Sequence, residues 1–151
     1  MNKSEFIDIM NQKIKLIRVE SEYSQEQMAA ILSISKKTLV EIEKGRSSLG
    51  FCGAVAAALL FEDGSIVENT FGGDVAESIK SVAFMHYEHK YPKTMGGKIW
   101  WRDIEAKGMY RVQQNFISQH YRIVNEQSMR ICSSFDIEYI EHRLEDLSGI
   151  L

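Results

Sequence analysis

Two short helical patterns follow each other closely in the first third of the chain, and they constrain its fold more than any other feature. Ser24 stands three residues before Gln27, so that the hydroxyl and the amide can cap the start of the first pattern reciprocally. Ser35 is a good N-cap for the second pattern, and Gly45 ends it where a left-handed backbone is easiest. Because only the break Ser33-Ile34 separates the patterns, they predict two helices joined by a tight turn.

The two predicted helices carry apolar residues where they face each other. These residues are Met28, Ala29, Leu32, Ile34, Leu39 and Ile42. Helices that cross closely need a small residue at the crossing, which Ala29 supplies, and residues 36–38 give the second helix a free, polar first turn. These are the requirements of a helix-turn-helix whose second helix enters the major groove of DNA.

The segment resembles the phage-repressor (Cro/cI, or XRE) helix-turn-helix family over roughly residues 8–64. The family's pattern of Ser/Thr-Gln, Leu/Met-Ala, Ile/Val-Ser and Glu-x-Gly is met by Ser24-Gln25, Met28-Ala29, Ile34-Ser35 and Glu43-Lys44-Gly45. The family usually has glycine in the turn, where this chain has Ser33, a residue that tolerates a left-handed backbone at modest cost. A helical hairpin without DNA contacts is the alternative, and the number of positions that agree at fixed spacing disfavours it.

The resemblance implies that a set of polar side chains contacts DNA. The set is Gln25, Ser35, Lys36, Lys37, Thr38, Glu41, Lys44 and Arg46. Gln25 would bond a phosphate, and the first turn at residues 36–38 would face base edges, where lysine can donate to guanine. Glu41 would accept from a cytosine or remain a solvated acidic residue. Lys44 and Arg46 would clamp phosphates after the second helix.

The prediction of DNA binding rests on a local cluster of basic residues and not on the overall charge. The chain has 18 lysines and arginines against 21 acidic residues, a net charge of −3, so its composition does not by itself indicate a polyanion partner. Arg18 and Glu43 match a structural ion pair of the family and are expected to support the fold. A single small basic surface binds weakly, so specific recognition of double-stranded DNA, as an inverted-repeat operator, predicts a homodimer.

The remainder of the N-terminal half predicts further short helices. Residues 3–22 have an amphipathic pattern, and residues 47–63 are rich in small residues that allow close helix approach. Residues 65–73 are predicted to be a linker, because Asn69 and Gly72-Gly73 interrupt any periodic pattern.

The second half predicts a small α+β region. Asp74 can cap a helix over 75–90, residues 98–107 favour a short helix with a strand as the alternative, and Asp136 can cap a last helix. Three strands are predicted from the alternating sets Tyr110, Val112, Gln114 and Phe116; Gln119, Tyr121 and Ile123; and Met129, Ile131, Ser133 and Phe135. The expected fold is a mainly α helix-turn-helix bundle of four to five helices over 1–67, followed by a three-stranded antiparallel α+β region over 74–151 that dimerises or senses.

Other candidate sites in the second half are weaker. His86 and His89 share one helix face, and His120 and His142 could complete a metal site with them. Two ligands do not make a site and the zinc-protease spacing is absent, so surface or core histidines are expected instead. A set of aromatic residues could line a ligand pocket but is expected to form the core: Trp100, Trp101, Tyr110, Phe116, Tyr121 and Phe135. Cys132 alternates against the apolar positions of its strand and is expected on the exposed side. We therefore predict no catalysis, no metal and no cofactor.

The sequence therefore predicts a cytoplasmic, dimeric DNA-binding repressor. The start of the chain has no apolar signal-peptide core, and no apolar run is long enough to span a bilayer. Part of the dimer interface is expected at the apolar end formed by Leu144, Leu147, Ile150 and Leu151. The alternative is an antitoxin-like module whose C-terminal region binds a partner protein and whose helix-turn-helix regulates its own gene. Binding of a small effector by the C-terminal region is also an open alternative.

Overall fold

The computed structural model describes residues 1–87 and 100–149. The chain divides into two compact units, residues 1–91 and 92–151. The described part of the first unit is entirely helical, with α1 (Lys3–Glu20), α2 (Gln25–Leu32), α3 (Lys36–Glu43), α4 (Gly50–Leu60), α5 (Ser65–Phe71) and α6 (Val75–Phe84).

The core of the first unit is built around α1. Its residues at spacings of three and four, Phe6, Met10, Ile14 and Ile17, are at most 2% exposed, which confirms the predicted amphipathic helix. Helix α4 lies against α1 through its small side chains, because Ala54 and Ala57 are fully buried. The predicted role of small residues in close helix approach is therefore confirmed.

The structure corrects the prediction for residues 65–73 and for the helix that follows. Residues 65–71 form α5 rather than a linker, and Val67 is 1% exposed in the core. Helix α6, capped by Asp74 as predicted, packs Ile79 and Val82 into the same core. The described part of the first unit thus has six helices where four to five were expected, and one of them, α6, was predicted to belong to the C-terminal region.

A carboxylate at the end of α1 caps α5. The Glu20 side chain accepts hydrogen bonds from the backbone N–H groups of Ser65 and Ile66, at 2.6 and 3.1 Å, and from the Ser65 hydroxyl at 2.6 Å. These bonds, that from the Ser65 hydroxyl first, lower the pKa of Glu20 below its ordinary value. A negative charge is favourable at a helix N-terminus, so Glu20 fixes the start of a helix that has no cap of its own.

We expect this cap to make stability pH-dependent. Since the folded pKa of Glu20 is lowered, its contribution is complete well above 4.5 and is lost as the pH falls through the folded pKa. Glu20→Gln should therefore lower the thermal midpoint at neutral pH, and the difference from wild type should shrink as the pH falls through the lowered folded pKa of Glu20. Circular dichroism melts across this range measure both, with Glu22→Gln as the neighbouring control; a pH-independent difference would contradict the capping role.

The described part of the second unit is a four-stranded antiparallel meander followed by one helix. Its strands follow the order β1-β2-β3-β4 in the sheet. They are β1 (Trp101–Lys107), β2 (Tyr110–Asn115), β3 (Tyr121–Val124) and β4 (Arg130–Ser134), followed by helix α7 (Ile137–Ser148). Residues 101–107 are thus a strand, so the short helix predicted over 98–107 is wrong, and the sheet has four strands rather than three. Pairing along the whole of β2, from Trp101 opposite Asn115 to Lys107 opposite Tyr110, stabilises β1.

Helix α7 covers one face of this sheet. Asp136 caps it through the N–H groups of Glu138 and Tyr139, as predicted, and Ile140 and Leu144 pack on Val112 and Ile123. Leu147 packs against the same cluster. Much of the C-terminal apolar surface assigned to a dimer interface is therefore used within the unit; Ile150 and Leu151 lie outside the described residues.

The side chains of β4 alternate in the opposite sense to the prediction. Cys132 pairs with the buried Ile123 and packs toward α7, where burial raises the pKa of its thiol. Met129 and Phe135 are 63% and 76% exposed instead of buried. A register irregularity between Ile123 and Val124 adds a residue to β4, so a strict two-residue period could not place its inner face.

No single described helix is long and apolar enough to cross a membrane. Helices α4 and α5 together meet that test by length and composition, but they bend by 115° at their junction. Both contribute buried side chains to the core of the first unit.

Candidate nucleic-acid interface

The turn between α2 and α3 has the geometry that the sequence predicted. Ser33 adopts a left-handed backbone with φ of 57°, and the N–H of Ile34 donates to the Ala29 carbonyl at 3.0 Å. Ala29 is 3% exposed beneath the crossing, beside the fully buried Met28 and Leu39. The turn and its apolar contacts fix the orientation of α3 relative to α2.

A glycine at the turn should stabilise the protein. A left-handed backbone costs an L-residue about 1–2 kcal/mol, which glycine avoids, while its greater freedom when unfolded offsets part of the gain. We expect Ser33→Gly to raise the free energy of unfolding by roughly 0.5–1 kcal/mol in urea titrations. Ala30→Gly, on the exposed side of α2 nearby, should instead lower it by about 1 kcal/mol. Destabilisation by Ser33→Gly would contradict the turn geometry.

Hydroxyl caps fix the starts of both helices. Ser24 and Gln27 form the predicted capping box, with N···O distances of 2.9 and 3.1 Å. The Ser35 hydroxyl oxygen accepts from the backbone N–H of Thr38 at 3.0 Å and lies 2.8 Å from the Thr38 hydroxyl. The bonds between Ser35 and Thr38 therefore stabilise the first turn of α3.

A polar network joins α1, α2 and α3 on the inner side of α3. The predicted ion pair is confirmed, with Arg18 Nε 2.7 Å from Glu43 Oε1 and side-chain exposures of 15% and 5%. Gln25 donates its amide to the other Glu43 oxygen at 2.7 Å, and Arg18 also donates to the Tyr23 carbonyl at 3.1 Å. The bond from Gln25 to Glu43 was not predicted, because residues 25 and 43 meet only in the folded unit. The second amide N–H of Gln25 is left for another acceptor.

The basic residues around α3 differ in how they are paired. Lys36 forms an exposed ion pair with Glu26 of α2 at 2.5 Å, and this contact lowers the pKa of Glu26. The ammonium of Lys37 has no partner among residues 1–87 and 100–149. Glu26 was not predicted as part of this surface, since no local spacing links it to Lys36.

The outer side of α3 presents three charged side chains in a row. Lys37, Glu41 and Lys44 stand at spacings of four and three residues, and so lie on one helix face, away from the buried Leu39 and Ile42. Arg46 follows the helix with its side chain 66% exposed, and its guanidinium lies 3.9 Å from the Glu41 carboxylate. The structure therefore places the four basic residues, Lys36, Lys37, Lys44 and Arg46, on exposed positions of α3 and the turn that follows it. Gln25, by contrast, is held by Glu43 in the network between the helices.

In the described part of the second half, the candidate histidines do not come together as a metal site. Among the described residues, no group of three or more His, Cys, Asp or Glu side chains could hold a metal ion. His120 lies between Trp101 and Phe135, while His142 is 3.8 Å from Asp146; His89 lies outside the described residues. Of the aromatics expected in the core, Tyr110 and Tyr121 pack against it, whereas Phe116 and Phe135 are exposed.

Comparison with known proteins agrees with this geometry. Residues 14–59 match the model of a family described as helix-turn-helix, within the segment where the phage-repressor resemblance was recognised. No curated protein and no solved structure matches the chain. The matched segment runs from the last two turns of α1 through α2 and α3 to the last turn of α4. It is thus a helix-turn-helix domain of the kind that binds double-stranded DNA in transcription regulators.

Proposed function

We propose that this protein is a cytoplasmic transcriptional repressor that binds its operator as a homodimer, with residues 35–44 in the major groove. The observation that carries the proposal is the difference between the two sides of α3. Its inner side is locked by buried Leu39, Ile42 and the Glu43 network, while its outer side presents Lys37 and Lys44 to solvent. A rigid helix with a basic, exposed face is what insertion into a groove requires.

Within this proposal the polar residues divide into two roles. Lys36, Lys37 and Thr38 read base edges from the first turn of α3, and Glu41 accepts from a base one turn later. Gln25 uses its remaining N–H on a phosphate, and Lys44 and Arg46 bind phosphates at the end of the helix. Ser35 supports them by holding the helix N-terminus at the DNA surface.

The dimer follows from the small charge of this surface. Four basic residues at positions 36–46 are opposed by the carboxylates of Glu26 and Glu41, so one domain gains little from displaced counterions. Two tethered domains on half-sites about one helical turn apart raise the effective concentration of the second contact. The protein regulates by occupying DNA and performs no catalysis of its own.

Selection of bound duplexes from a random pool, read by sequencing, tests the proposal. We expect an inverted repeat to be enriched by the full chain, with affinity that falls steeply as salt rises. Sedimentation of the free protein and of the complex should show two chains for each duplex. A pool without any enriched sequence would overturn the function, and one chain on a single half-site would overturn the dimer.

A further inference from the structure

The register of the sheet in the second unit divides its side chains between two faces. Val112, Ile123 and Cys132 align across three strands on the face that α7 covers. Side chains at the alternate positions lie on the other side, which we call the outer face. The outer face carries Trp101, Asp103, Arg111, Gln113, His120, Arg122, Val124, Arg130 and Phe135. Val124, paired with both Arg111 and Arg130, is fully buried.

Three arginines give the outer face an excess of positive charge. Arg122 donates to Gln113 at 2.9 Å rather than to a carboxylate, and burial, followed by the charges of Arg130 and Arg111, lowers its pKa. Within the described chain, the carboxylate that pairs with any of the three is that of Asp103, 4.0 Å from Arg111. Such unbalanced charge, in a chain of net charge −3, complements an anionic ligand.

An aromatic row adjoins these arginines. The guanidinium of Arg122 lies 3.8 Å from the centre of the Trp101 ring, and the Trp101 and His120 ring centres are 4.9 Å apart. The ring of Phe135 continues the row 5.6 Å from His120. Phe135 is 76% exposed, so its ring is open to a planar ligand.

We propose that the outer face binds a single-stranded nucleic acid, stacking a base on the exposed ring of Phe135 and holding phosphates with Arg111 and Arg130. Proteins bind single strands by combining aromatic platforms with a positive surface along the backbone. Successive rows of side chains on a strand are about 7 Å apart, so the aromatic row and the arginines lie within reach of neighbouring nucleotides. The proposal does not rest on duplex recognition, which belongs to the other unit.

Fluorescence anisotropy with labelled uridine and thymidine decamers tests the proposal on the full chain. We expect both decamers to bind at low salt, and their relative affinities identify RNA or DNA as the preferred strand. Phe135→Ala should weaken binding at least about fivefold, and Phe135→Trp should retain it, because stacking needs an aromatic ring. Tyr139→Ala, an exposed aromatic on α7, is the matched control and should change nothing.

The charge arm uses Arg111→Gln combined with Arg130→Gln, with Lys80→Gln on α6 as its control. The double variant should weaken decamer binding at least about tenfold and flatten its salt dependence, while affinity for a duplex selected by the helix-turn-helix stays unchanged. Absence of decamer binding at low salt would overturn the proposal. So would full binding by Phe135→Ala, or displacement by polyglutamate as effective as by unlabelled decamer, since both indicate a general anion or acidic-protein surface.

Discussion

Lys37→Ala should weaken binding to the preferred duplex about ten- to a hundredfold, which corresponds to roughly 1–3 kcal/mol for a lysine that reads a base. Lys37 lies in the first turn of α3, is exposed, and has no ion-pair partner in the described parts of the chain. Its ammonium is therefore free to donate to a base edge without first breaking a contact. Titration of enriched and scrambled duplexes measures the loss and shows whether it is specific to the preferred sequence.

Neighbouring substitutions separate base reading from charge. Arg46→Ala should weaken all duplexes alike and reduce the salt slope by about 1, as expected for a phosphate contact. Lys36→Ala should cost less than Lys37→Ala, because the Lys36 charge is already offset by Glu26. Lys80→Ala on α6 controls for net charge. If Lys37→Ala leaves the affinity for every enriched duplex unchanged, α3 is not the recognition helix.

The helix-turn-helix was predictable because its determinants are local. Capping residues and their partners lie within three positions, as at Ser24 and Gln27, and the left-handed turn depends on Ser33 alone. The Arg18–Glu43 pair spans 25 positions and followed from the family resemblance rather than from spacing. The Gln25 and Glu26 contacts had no such guide, because each depends on how two helices cross.

The errors elsewhere have tertiary causes. Helix α5 is short and begins at Ser65 without a cap of its own; Glu20, distant in sequence, supplies one. Strand β1 is an edge strand with only its first residue partly buried, so it lacks the alternation that marks a half-buried strand. The added residue in β4 reverses which of Ile131 and Cys132 faces α7. None of these effects can be read from periodicity within one element.

The largest stability loss is expected at the carboxylate that links the three helices. Glu43→Ala removes the partner of Arg18 and of the Gln25 amide in a site where Glu43 is 5% exposed. Breaking a buried ion pair by removing one partner costs about 3–5 kcal/mol, because the other charge stays desolvated. Since the Arg18 side chain is 15% exposed, we expect a loss of about 3 kcal/mol in the free energy of unfolding. Urea unfolding followed by helical circular dichroism, which reports mostly on the first unit, measures the change.

Two further variants show whether the stability loss comes from the unpaired charge of Arg18. Glu41→Ala, on the outer side of the same helix and 3.9 Å from the exposed Arg46, should change stability by less than about 0.5 kcal/mol. Replacing both members of the buried pair, with Arg18→Met and Glu43→Leu, should recover most of the stability, since no charge is then left unpaired. Both tryptophans lie in the second unit, so their fluorescence reports on that unit separately. If the double variant is as unstable as Glu43→Ala, the stabilising contribution lies in the packing of the long side chains rather than in their charges.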